Sequence, residues 1–326
     1  MTVNRTEALT DSSLPLAVSV IVPVYNGERD LPALISCLQA QTYHSERVEY
    51  LLVDNASQDN TAAIIQAAAQ EAQSQGVTIR YLSENKIQTS YAARNAGIRA
   101  ATGEILAFTD VDCRPQPNWL DELIKPFISH PDVGLVVGTI EATVGKTLLE
   151  AYAAHQKILS TEFTLAHPFC PYGPTANIAI RLQVLKQVGL FRSYLTTGGD
   201  ADLCWRIQQQ SHWQLHFAEQ AIVQHRHRSQ LQELISQWRR YGRSHKYLHE
   251  LHGIDLTSDM PTYQYVRRLG GWLIKDLPIN GLKALLGKAK PVELVVTPIK
   301  LITVYAKAAG QREASLLPEA RQIDRL

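Results

Sequence analysis

The stretch Glu104-Ile-Leu-Ala-Phe-Thr-Asp-Val-Asp112 decides which fold and which kind of site the sequence predicts. Its four successive apolar residues indicate a buried strand, and two carboxylates follow that strand directly. Unit charges about 4 Å apart repel by about 4 kcal/mol at an effective dielectric of about 20, so this pair needs a cation or a proton. Oxygen ligands favour Mg²⁺ or Mn²⁺. A polar turn that uses aspartate for its own hydrogen bonds is the alternative.

The same pattern of an apolar run followed by a polar turn occurs twice upstream. Val18–Val24 ends at Tyr25, and Val48–Val53 ends at Asp54. Residues 77–82 predict a third strand, which makes the opening stretch the fourth. Each polar turn therefore stands at the carboxyl end of a predicted strand.

Helix signals separate these strands. The first helix opens at Asp30, the second is capped by Asp59 or Asn60 and ended by Gly76, and the third spans about residues 90–101. Strands that alternate with helices predict right-handed crossovers and a mostly parallel sheet with helices on both faces. Ligands of such sheets bind beyond the carboxyl ends of the strands. The polar turns are therefore expected to meet at one edge of the sheet, which we call the rim.

Five ordered stretches carry a family resemblance. They are Val20-Ile-Val-Pro-Val-Tyr-Asn26, Val53-Asp-Asn-Ala-Ser-Gln-Asp-Asn-Thr61, Ala93-Arg-Asn-Ala-Gly97 with Ala101-Thr-Gly-Glu104, Asp110-Val-Asp112, and Gly198-Gly-Asp-Ala-Asp-Leu-Cys-Trp-Arg206. Together they resemble the inverting glycosyltransferases of family 2, which have the Rossmann-like GT-A fold. The sequence departs from the family twice: Asp54-Asn55 stands where many members have two acidic residues, and Gly199-Asp200 stands where many have Glu-Asp.

The resemblance implies roles for the charged residues of the rim. Asp54 would contact the base of a UDP- or GDP-sugar, and Asp110 the ribose or a metal-bound water. Asp112 is the best candidate metal ligand, because a divalent ion there stabilises the charge that develops on a departing diphosphate. Family members often add a histidine from a later strand, and we prefer His225 to the alternating His227.

The resemblance also predicts the remaining contacts of the donor, the nucleoside-diphosphate sugar. Pro23, Tyr25 and Glu28 would line the nucleotide pocket, and Arg94 would reach the ribose, the base or a phosphate. An ion pair within its own helix is the alternative for Arg94. Plain packing is the alternative for Tyr25.

Inversion in a single displacement requires a carboxylate that takes the proton of the acceptor hydroxyl, and Asp200 is the candidate. Gly198 and Gly199 precede it and allow a tight turn at a loop–helix junction. A helix N-cap is the alternative role for Asp200, and capping is compatible with catalysis. Asp202 and Arg206 have the spacing of an ion pair on the helix that follows.

Two further stretches resemble acceptor-side elements of the family. Pro171-Tyr-Gly-Pro-Thr-Ala-Asn177 resembles the loop that faces the acceptor, and we expect Asn177 to contact it. Gln237-Trp-Arg-Arg-Tyr241 resembles the Gln-x-x-Arg-Trp motif of polymerising relatives, which offers Gln237 and Arg240. Inward packing of the two aromatic residues is the alternative for this motif.

Charge divides the chain into two halves. Residues 1–225 hold 15 Lys and Arg against 22 Asp and Glu, a balance of −7, whereas residues 226–326 hold 17 against 9, a balance of +8. An acidic half suits a metal-dependent site, and a basic half suits an anionic membrane surface or a lipid-linked phosphate. A solvated basic surface is the alternative. Nucleic acid is not expected, because the basic residues are spread and accompany no nucleic-acid-binding module.

The chain of 326 residues is 45% hydrophobic and can bury a sizeable core. We expect a catalytic domain over residues 1–228 and a basic, mostly helical extension over residues 229–326. The most apolar stretch of the extension, Val292–Tyr305, falls short of the ~20 uncharged residues of a spanning helix. It predicts a peripheral position on the cytoplasmic face of the membrane, with packing against the catalytic domain as the alternative.

The cysteines and the first residues bear on the compartment. The four cysteines show no paired metal-ligand spacing, which indicates free thiols in a reducing compartment; they are Cys37, Cys113, Cys170 and Cys204. Acidic residues precede the first apolar run, so no signal peptide is expected. These features predict a cytoplasmic protein.

The expected function is metal-dependent transfer of a sugar to a saccharide or lipid-linked acceptor, in polysaccharide or glycolipid synthesis. Two alternatives remain, a nucleotide-sugar-binding or scaffold protein without turnover and a nucleotidyltransferase. A retained Asp200 would have little use in the first. The second would need a Gly-rich basic loop for a triphosphate, and Tyr25-Asn-Gly-Glu28 is not such a loop.

Overall fold

The computed structural model describes residues 15–143 and 145–326 and confirms the expected α/β fold. The strands are β1 (Val18–Val24), β2 (Val48–Asp54), β3 (Thr78–Ser83), β4 (Ile105–Phe108), β5 (Cys113–Pro115), β6 (Val133–Ala142), β7 (Ile178–Arg181) and β8 (Gln214–His225). The helices are α1 (Leu31–Gln39), α2 (Thr61–Ser74), α3 (Ser90–Ala100), α4 (Trp119–Ser129), α5 (Leu148–His155), α6 (Thr161–Leu165), α7 (Leu182–Val188), α8 (Gly199–Gln210), α9 (Leu231–His252), α10 (Thr262–Gly271), α11 (Leu277–Leu285) and α12 (Val296–Glu313). The expected absence of a signal peptide concerns residues 1–14, which lie outside the described residues.

The strands form one sheet in the order β3-β2-β1-β4-β7-β6-β8-β5. The pairs β1–β2, β1–β4, β2–β3 and β6–β8 are parallel, whereas β7 and the edge strand β5 run antiparallel to their neighbours. Helices cover both faces and enclose two apolar cores. The expectation of a mostly parallel sheet is therefore confirmed.

Local sequence signals explain the first half of the sheet. All seven residues of β1 and of β2 are buried, as expected for parallel strands covered on both faces. In α1, the apolar residues Leu31, Leu34, Ile35 and Leu38 are buried on one face, and each such side chain contributes roughly 1.5–3 kcal/mol. A proline at the start of α1 suits the first helical turn.

Strand register brings the polar turns to the rim. Val24 at the end of β1 lies opposite Asp54 at the end of β2, and β4 runs parallel beside β1. On the other side of the sheet, Cys113 of β5 pairs with His225 at the end of β8. Because Cys113 directly follows Asp112, this pairing brings His225 to the opening stretch.

Helices α9 and α12, both in the C-terminal part of the chain, pack closely against each other. Gly242 of α9 faces the backbone of Lys307, and Gly310 of α12 faces the backbone of Arg239. A Cβ atom at either glycine would overlap the backbone of the opposite helix, so the two glycines permit the close approach. The division of the chain at residue 228 stays a prediction.

This packing corrects the expected role of Val292–Tyr305. Val292 and Ile299 are buried in a small cluster with Tyr152 and Leu234, because α9 and α5 offer them an apolar partner surface. Tyr305 alone among the large apolar residues of this stretch is exposed. No helix of the described residues is long and apolar enough to cross a membrane. All four cysteines lie within the described residues and are free, as expected.

Gly310→Ala is expected to lower the free energy of unfolding by roughly 1–3 kcal/mol, because the added methyl group must push α12 away from α9. Gly281→Ala in α11 is the matched control: its Cβ position has no heavy atom within 4 Å. Helix propensity predicts that this control gains up to about 1 kcal/mol. Urea unfolding followed by circular dichroism measures both, and a Gly310→Ala protein as stable as the wild type would contradict the close contact.

Candidate active site

The turns after β1 and β2 hold each other at the rim. The backbone N–H of Asn26 donates to Ser57 Oγ at 2.9 Å, and Glu28 Oε2 accepts from both the backbone and the side chain of Asn60 at 3.1 and 2.9 Å. Glu28, predicted to line the nucleotide pocket, is thus engaged in supporting the turn. Tyr25 stands beside it with 49% of its surface exposed, free to contact a ligand.

Asp54 is fixed in orientation at the end of β2. Its side chain is buried, Oδ1 accepts from the backbone N–H of Ser57 at 3.0 Å, and the hydroxyl of Tyr81 lies 3.4 Å from Oδ2. Pro23 is buried in β1, opposite Val53. The structure therefore brings Asp54 and Tyr25 to the same rim, whereas Pro23 supports it from within the sheet.

Arg94 forms an ion pair with Asp110. The Nη2 atom of Arg94, on α3, lies 2.6 Å from Asp110 Oδ1, and the guanidinium is almost fully buried. The Nε atom of Arg94 has no hydrogen-bond partner within the described part of the chain. Asp110 lies outside α3, so the alternative of an ion pair within the helix of Arg94 does not hold. Arg94 positions Asp110, and its expected contact with the nucleotide stays a prediction.

Asp112 lies between two basic side chains. Its Oδ2 atom is 3.4 Å from His225 Nε2 and 3.5 Å from Arg228 Nη2. Burial by itself would raise the pKa of Asp112, but the contact with His225 and the charge of Arg228 outweigh burial and lower the pKa to about 2. His227, the alternative histidine, is buried against His225, and burial lowers its pKa to about 4. The sequence did not single out Arg228, because nothing local distinguishes it from the arginine two residues before it.

The pair of Asp112 and His225 fits part of a metal site. Among the described residues, no group of three or more His, Cys, Asp or Glu could hold a metal ion. Two ligand atoms with metal bonds of about 2.0–2.2 Å lie roughly 3–3.5 Å apart, which agrees with the observed separation of 3.4 Å. The buried Nδ1 atom of His225 has no partner in the described residues, so no protein acceptor there fixes the tautomer that would present the Nε2 lone pair to a cation. The remaining ligands would come from a bound diphosphate and water.

Backbone geometry places Asp200 at the start of α8. Gly198 has a left-handed conformation with φ of 80°, and the N–H of Gly199 donates to the hydroxyl of Tyr91 at 2.8 Å. A Cβ atom on Gly199 would overlap the ring of Tyr91. The N-cap of α8 is Gly198, so the alternative of an Asp200 N-cap does not hold. The carboxylate of Asp200 accepts only the N–H of Ala201 among the described residues, at 3.1 Å.

Asp200 is held as a stronger base than an ordinary aspartate. Burial raises its pKa, the N–H of Ala201 and the charge of Arg94 lower it, and Asp110 raises it again, with a net rise. A general base works best when its pKa approaches the working pH. The environment of Asp200 therefore suits proton abstraction.

A buried ion network supports α8 below Asp200. Asp202 is fully buried and contacts Arg192 Nε at 3.0 Å, Arg206 Nε at 3.1 Å and His252 Nε2 at 2.9 Å. Burial would raise the pKa of Asp202, but His252 and the two arginines hold it at about 2. The expected pair of Asp202 with Arg206 is confirmed. Arg192 and His252 are distant in the sequence, and no local pattern linked them to it.

A cavity of ≈ 560 Å³ opens beside Asp200. We call it the Asp200 cavity. It lies between the segment 152–172 and the helices α9 and α12. Asp200 is the only acidic residue among the described residues that line it. Its aromatic lining consists of Tyr91, Tyr152, Phe163, Tyr172, Trp238 and Tyr241.

Asn177 does not face this cavity, which corrects its predicted contact with the acceptor. Its side chain is fully buried, where Oδ1 accepts from Trp119 Nε1 at 2.7 Å. Its Nδ2 atom donates to the carbonyls of Thr139 and Ala221, each at 2.8 Å. Asn177 thus joins α4, β6 and β8, and its hydrogen bonds leave no group for a ligand.

The Gln237–Tyr241 motif is divided between core and surface. Gln237 is buried and donates to the hydroxyl of Tyr241 at 3.1 Å, whereas Arg240 is exposed. Trp238 and Tyr241 line the Asp200 cavity with their rings 5.5 Å apart. The aromatic residues of the motif, rather than Gln237 and Arg240, are therefore the ones that reach the candidate acceptor side.

Known families and proteins share this sequence pattern. Residues 19–189 match the family model described as Glycosyl transferase family 2, and residues 105–303 match Glycosyl transferase family group 2. Glycosyltransferase AglE of Haloferax volcanii is 37% identical over 191 residues, which cover 58% of this chain and 60% of that protein. An undecaprenyl-phosphate 4-deoxy-4-formamido-L-arabinose transferase of Pseudomonas savastanoi pv. phaseolicola is 33% identical over 126 residues, which cover 38% of this chain and 36% of that protein.

A solved structure shares the fold. The mannosyltransferase PcManGT of Pyrobaculum calidifontis, determined with GDP-Man and Mn²⁺, superposes with a TM-score of 0.61 at 18% identity. The superposition covers 92% of this chain and 88% of that one. Both sequence relatives are matched over less than two thirds of their own length. At 18% identity, the likeness to PcManGT concerns the architecture alone, which is that of GT-A glycosyltransferases.

Proposed function

The chain belongs to glycosyl transferase family 2, whose model matches residues 19–189 of its 326, and from this premise we propose that it is a metal-dependent, inverting glycosyltransferase. Its donor is a nucleoside-diphosphate sugar, either a UDP- or a GDP-sugar. The position of Asp200 carries the proposal. This carboxylate has a raised pKa and stands where the rim meets a cavity large enough for an acceptor.

The donor lies along the rim. Tyr25 and Asp54 bind the nucleoside, and Asp110, oriented by Arg94, binds the ribose or a water. Asp112 and His225 would hold Mn²⁺ or Mg²⁺, which would supply positive charge to the diphosphate of the donor. PcManGT, which was determined with GDP-Man and Mn²⁺, supports the choice of a nucleoside-diphosphate sugar and a divalent ion as the bound molecules. Arg228 offers a second positive charge next to Asp112.

Asp200 accepts the proton of the acceptor hydroxyl while the hydroxyl oxygen bonds to the anomeric carbon. The bond from that carbon to the diphosphate breaks in the same step, so the nucleoside diphosphate leaves with the electron pair. A double displacement would need a second carboxylate as nucleophile, and the described lining of the Asp200 cavity holds none. The site therefore suits one displacement with inversion.

The acceptor is a saccharide or a lipid-linked saccharide, and a membrane surface brings it to the enzyme. Residues 262–286, which span α10, a π-helical turn (Trp272–Asp276) and α11, contain no buried side chain. We call them the 262–286 surface. Residues 262–290 carry six Lys or Arg against one acidic residue, a charge that complements anionic lipid. The exposed large apolar side chains of this surface are Tyr263, Val266, Leu269, Leu273, Ile274, Ile279, Leu282, Leu285 and Leu286.

Asp112→Asn is expected to weaken Mn²⁺-dependent binding of UDP and GDP at least about tenfold, because a neutral amide is a poorer ligand of a hard cation than a carboxylate. Isothermal titration calorimetry with Mn²⁺ and with excess EDTA measures the change. Asp132→Asn, an exposed acidic position away from the rim, is the control and should bind like the wild type. Undiminished nucleotide binding by Asp112→Asn, or by the wild type in EDTA, would refute the metal dependence.

Asp200→Asn is expected to keep donor affinity and to lower turnover by ~10²–10⁴-fold. The base acts only when ionised, and its pKa is raised. The wild-type kcat should therefore fall with decreasing pH through a pKa above the ordinary aspartate value of about 3.9, and the variant should lack this acidic limb. Release of nucleoside diphosphate with an accepted substrate measures both. Equal turnover of the two proteins would show that another group takes the proton.

The 262–286 surface is expected to bind vesicles rich in anionic lipid, and to bind them more weakly at high salt. Flotation measures this binding. Ile274→Glu with Leu285→Glu should abolish it, because these side chains are 81% and 87% exposed on the surface. Ile128→Glu with Leu148→Glu, exposed elsewhere, is the matched control and should float like the wild type. A wild-type chain that stays with the soluble fraction at low salt, or dimerises through this surface, would contradict the proposal.

A further inference from the structure

The Asp200 cavity holds a positive charge that the proposed chemistry does not use. Lys307 of α12 lines the cavity, is half-buried, and has no ion-pair partner among the described residues. Burial lowers the pKa of its ammonium group, and no neighbouring carboxylate offsets this. A cation withdrawn from water without a partner is costly, so the site favours a ligand that supplies an anion.

A second lysine marks the exposed end of the same wall. Lys300, Thr303, Val304 and Lys307 all line the cavity and lie on one face of α12. The seven residues from Lys300 to Lys307 correspond to about 10 Å along the helix. Lys300 is exposed, so it stands at the mouth, whereas Lys307 lies deeper. The wall thus offers positive charge at two depths.

Aromatic rings form another part of the lining. Trp238 and Tyr241 on α9 meet edge to face, and Tyr152 and Phe163 come from the segment before the sheet strand β7. The buried Nε1 of Trp238 donates to no atom of the described chain. Such rings suit the apolar face of a sugar or a hydrocarbon chain, and the unpartnered indole N–H suits an oxygen of a sugar.

We propose that the Asp200 cavity recognises an acceptor that carries a phosphate, with the phosphate at Lys307, the reacting hydroxyl at Asp200 and the apolar part along the aromatic rings. The proposal rests on the proposed function, because it takes Asp200 as the base that meets the acceptor. Lysine binds phosphate as a point charge and needs no metal for this. The shared chemistry is a phosphate monoester or diester, borne either by a soluble sugar or by a lipid.

The mouth of the cavity points to the lipid-borne source. Lys300 also lines a groove with Trp272 and Lys275 of the π-helical turn. The cavity therefore opens beside the 262–286 surface. A hydrocarbon chain that leaves the cavity past Lys300 would meet the exposed apolar side chains of that surface.

Binding to the full-length protein in EDTA, which excludes phosphate binding through a metal, tests the proposal. The probes are inorganic phosphate, glucose 1-phosphate and farnesyl phosphate, with glucose and farnesol as their neutral counterparts. At least one organic phosphate should bind about tenfold or more tightly than its neutral counterpart, and Lys307→Met should remove that advantage. Preference for farnesyl phosphate identifies a lipid-borne phosphate, and preference for glucose 1-phosphate identifies a soluble one.

The melting temperature of the free protein gives a second readout. Lys307→Met should raise the Tm without ligand, because it removes a desolvated charge. Lys186→Met, at an exposed position of α7, is the matched control and should change neither binding nor Tm. Equal phosphate affinity of Lys307→Met and wild type, no binding of any phosphate, or a lower Tm of the free variant would overturn the proposal.

The proposed function is tested separately on the same proteins. Mn²⁺-dependent binding of UDP and GDP should be the same in Lys307→Met and in the wild type. Phosphate binding without nucleotide binding would refute the donor site and leave the phosphate site standing. Nucleotide binding without phosphate binding would refute the phosphate site and leave the donor site standing.

Discussion

The active site depends on the ion pairs of the buried Asp202 carboxylate. Arg192, Arg206 and His252 reach it from three separate parts of the chain. Burying such a charge costs several kcal/mol unless its partners are in place, so the network forms only when α8, the loop before it and the end of α9 are docked together. Asp200 lies two residues upstream at the start of the same helix. The ion network of Asp202 therefore fixes the position of Asp200, the candidate base, although the network itself lies outside the proposed substrate site.

Local signals made the nucleotide half of the fold predictable. The bounds of β1 agree with the expected strand, and α1 begins directly after Asp30, where the first helix was expected to open. Parallel strands end at the same edge of a sheet. The polar turns that follow apolar runs in the sequence were therefore sufficient to predict that Tyr25, Asp54 and Asp110 share one edge. His225 joined them through the edge strand β5, whose pairing the apolar pattern alone did not predict.

Contacts between distant residues escaped prediction. Asn177 was expected to contact the acceptor, but Trp119 and two strand carbonyls satisfy its hydrogen bonds in the core. Apolarity alone assigned the membrane surface to residues 292–305, whereas exposure depends on which helix finds a partner. Residues 262–286 have fewer apolar side chains in succession yet leave them uncovered. Lys307 gave no local signal, because its role depends on the cavity that α9 and α12 enclose.

The opposite charges of the two halves match the two anions of the proposed reaction. The acidic rim repels a bare diphosphate, so the donor binds there only together with a divalent cation. The acceptor phosphate meets Lys300 and Lys307 in the basic half and needs no metal. Each anion is thereby directed to its own side of Asp200: the acceptor phosphate gains little at a rim without metal, and the metal-bound donor, whose diphosphate charge the cation already neutralises, gains little from the lysines. Segregated charge would thus set the order of sugar donor, base and acceptor along the site.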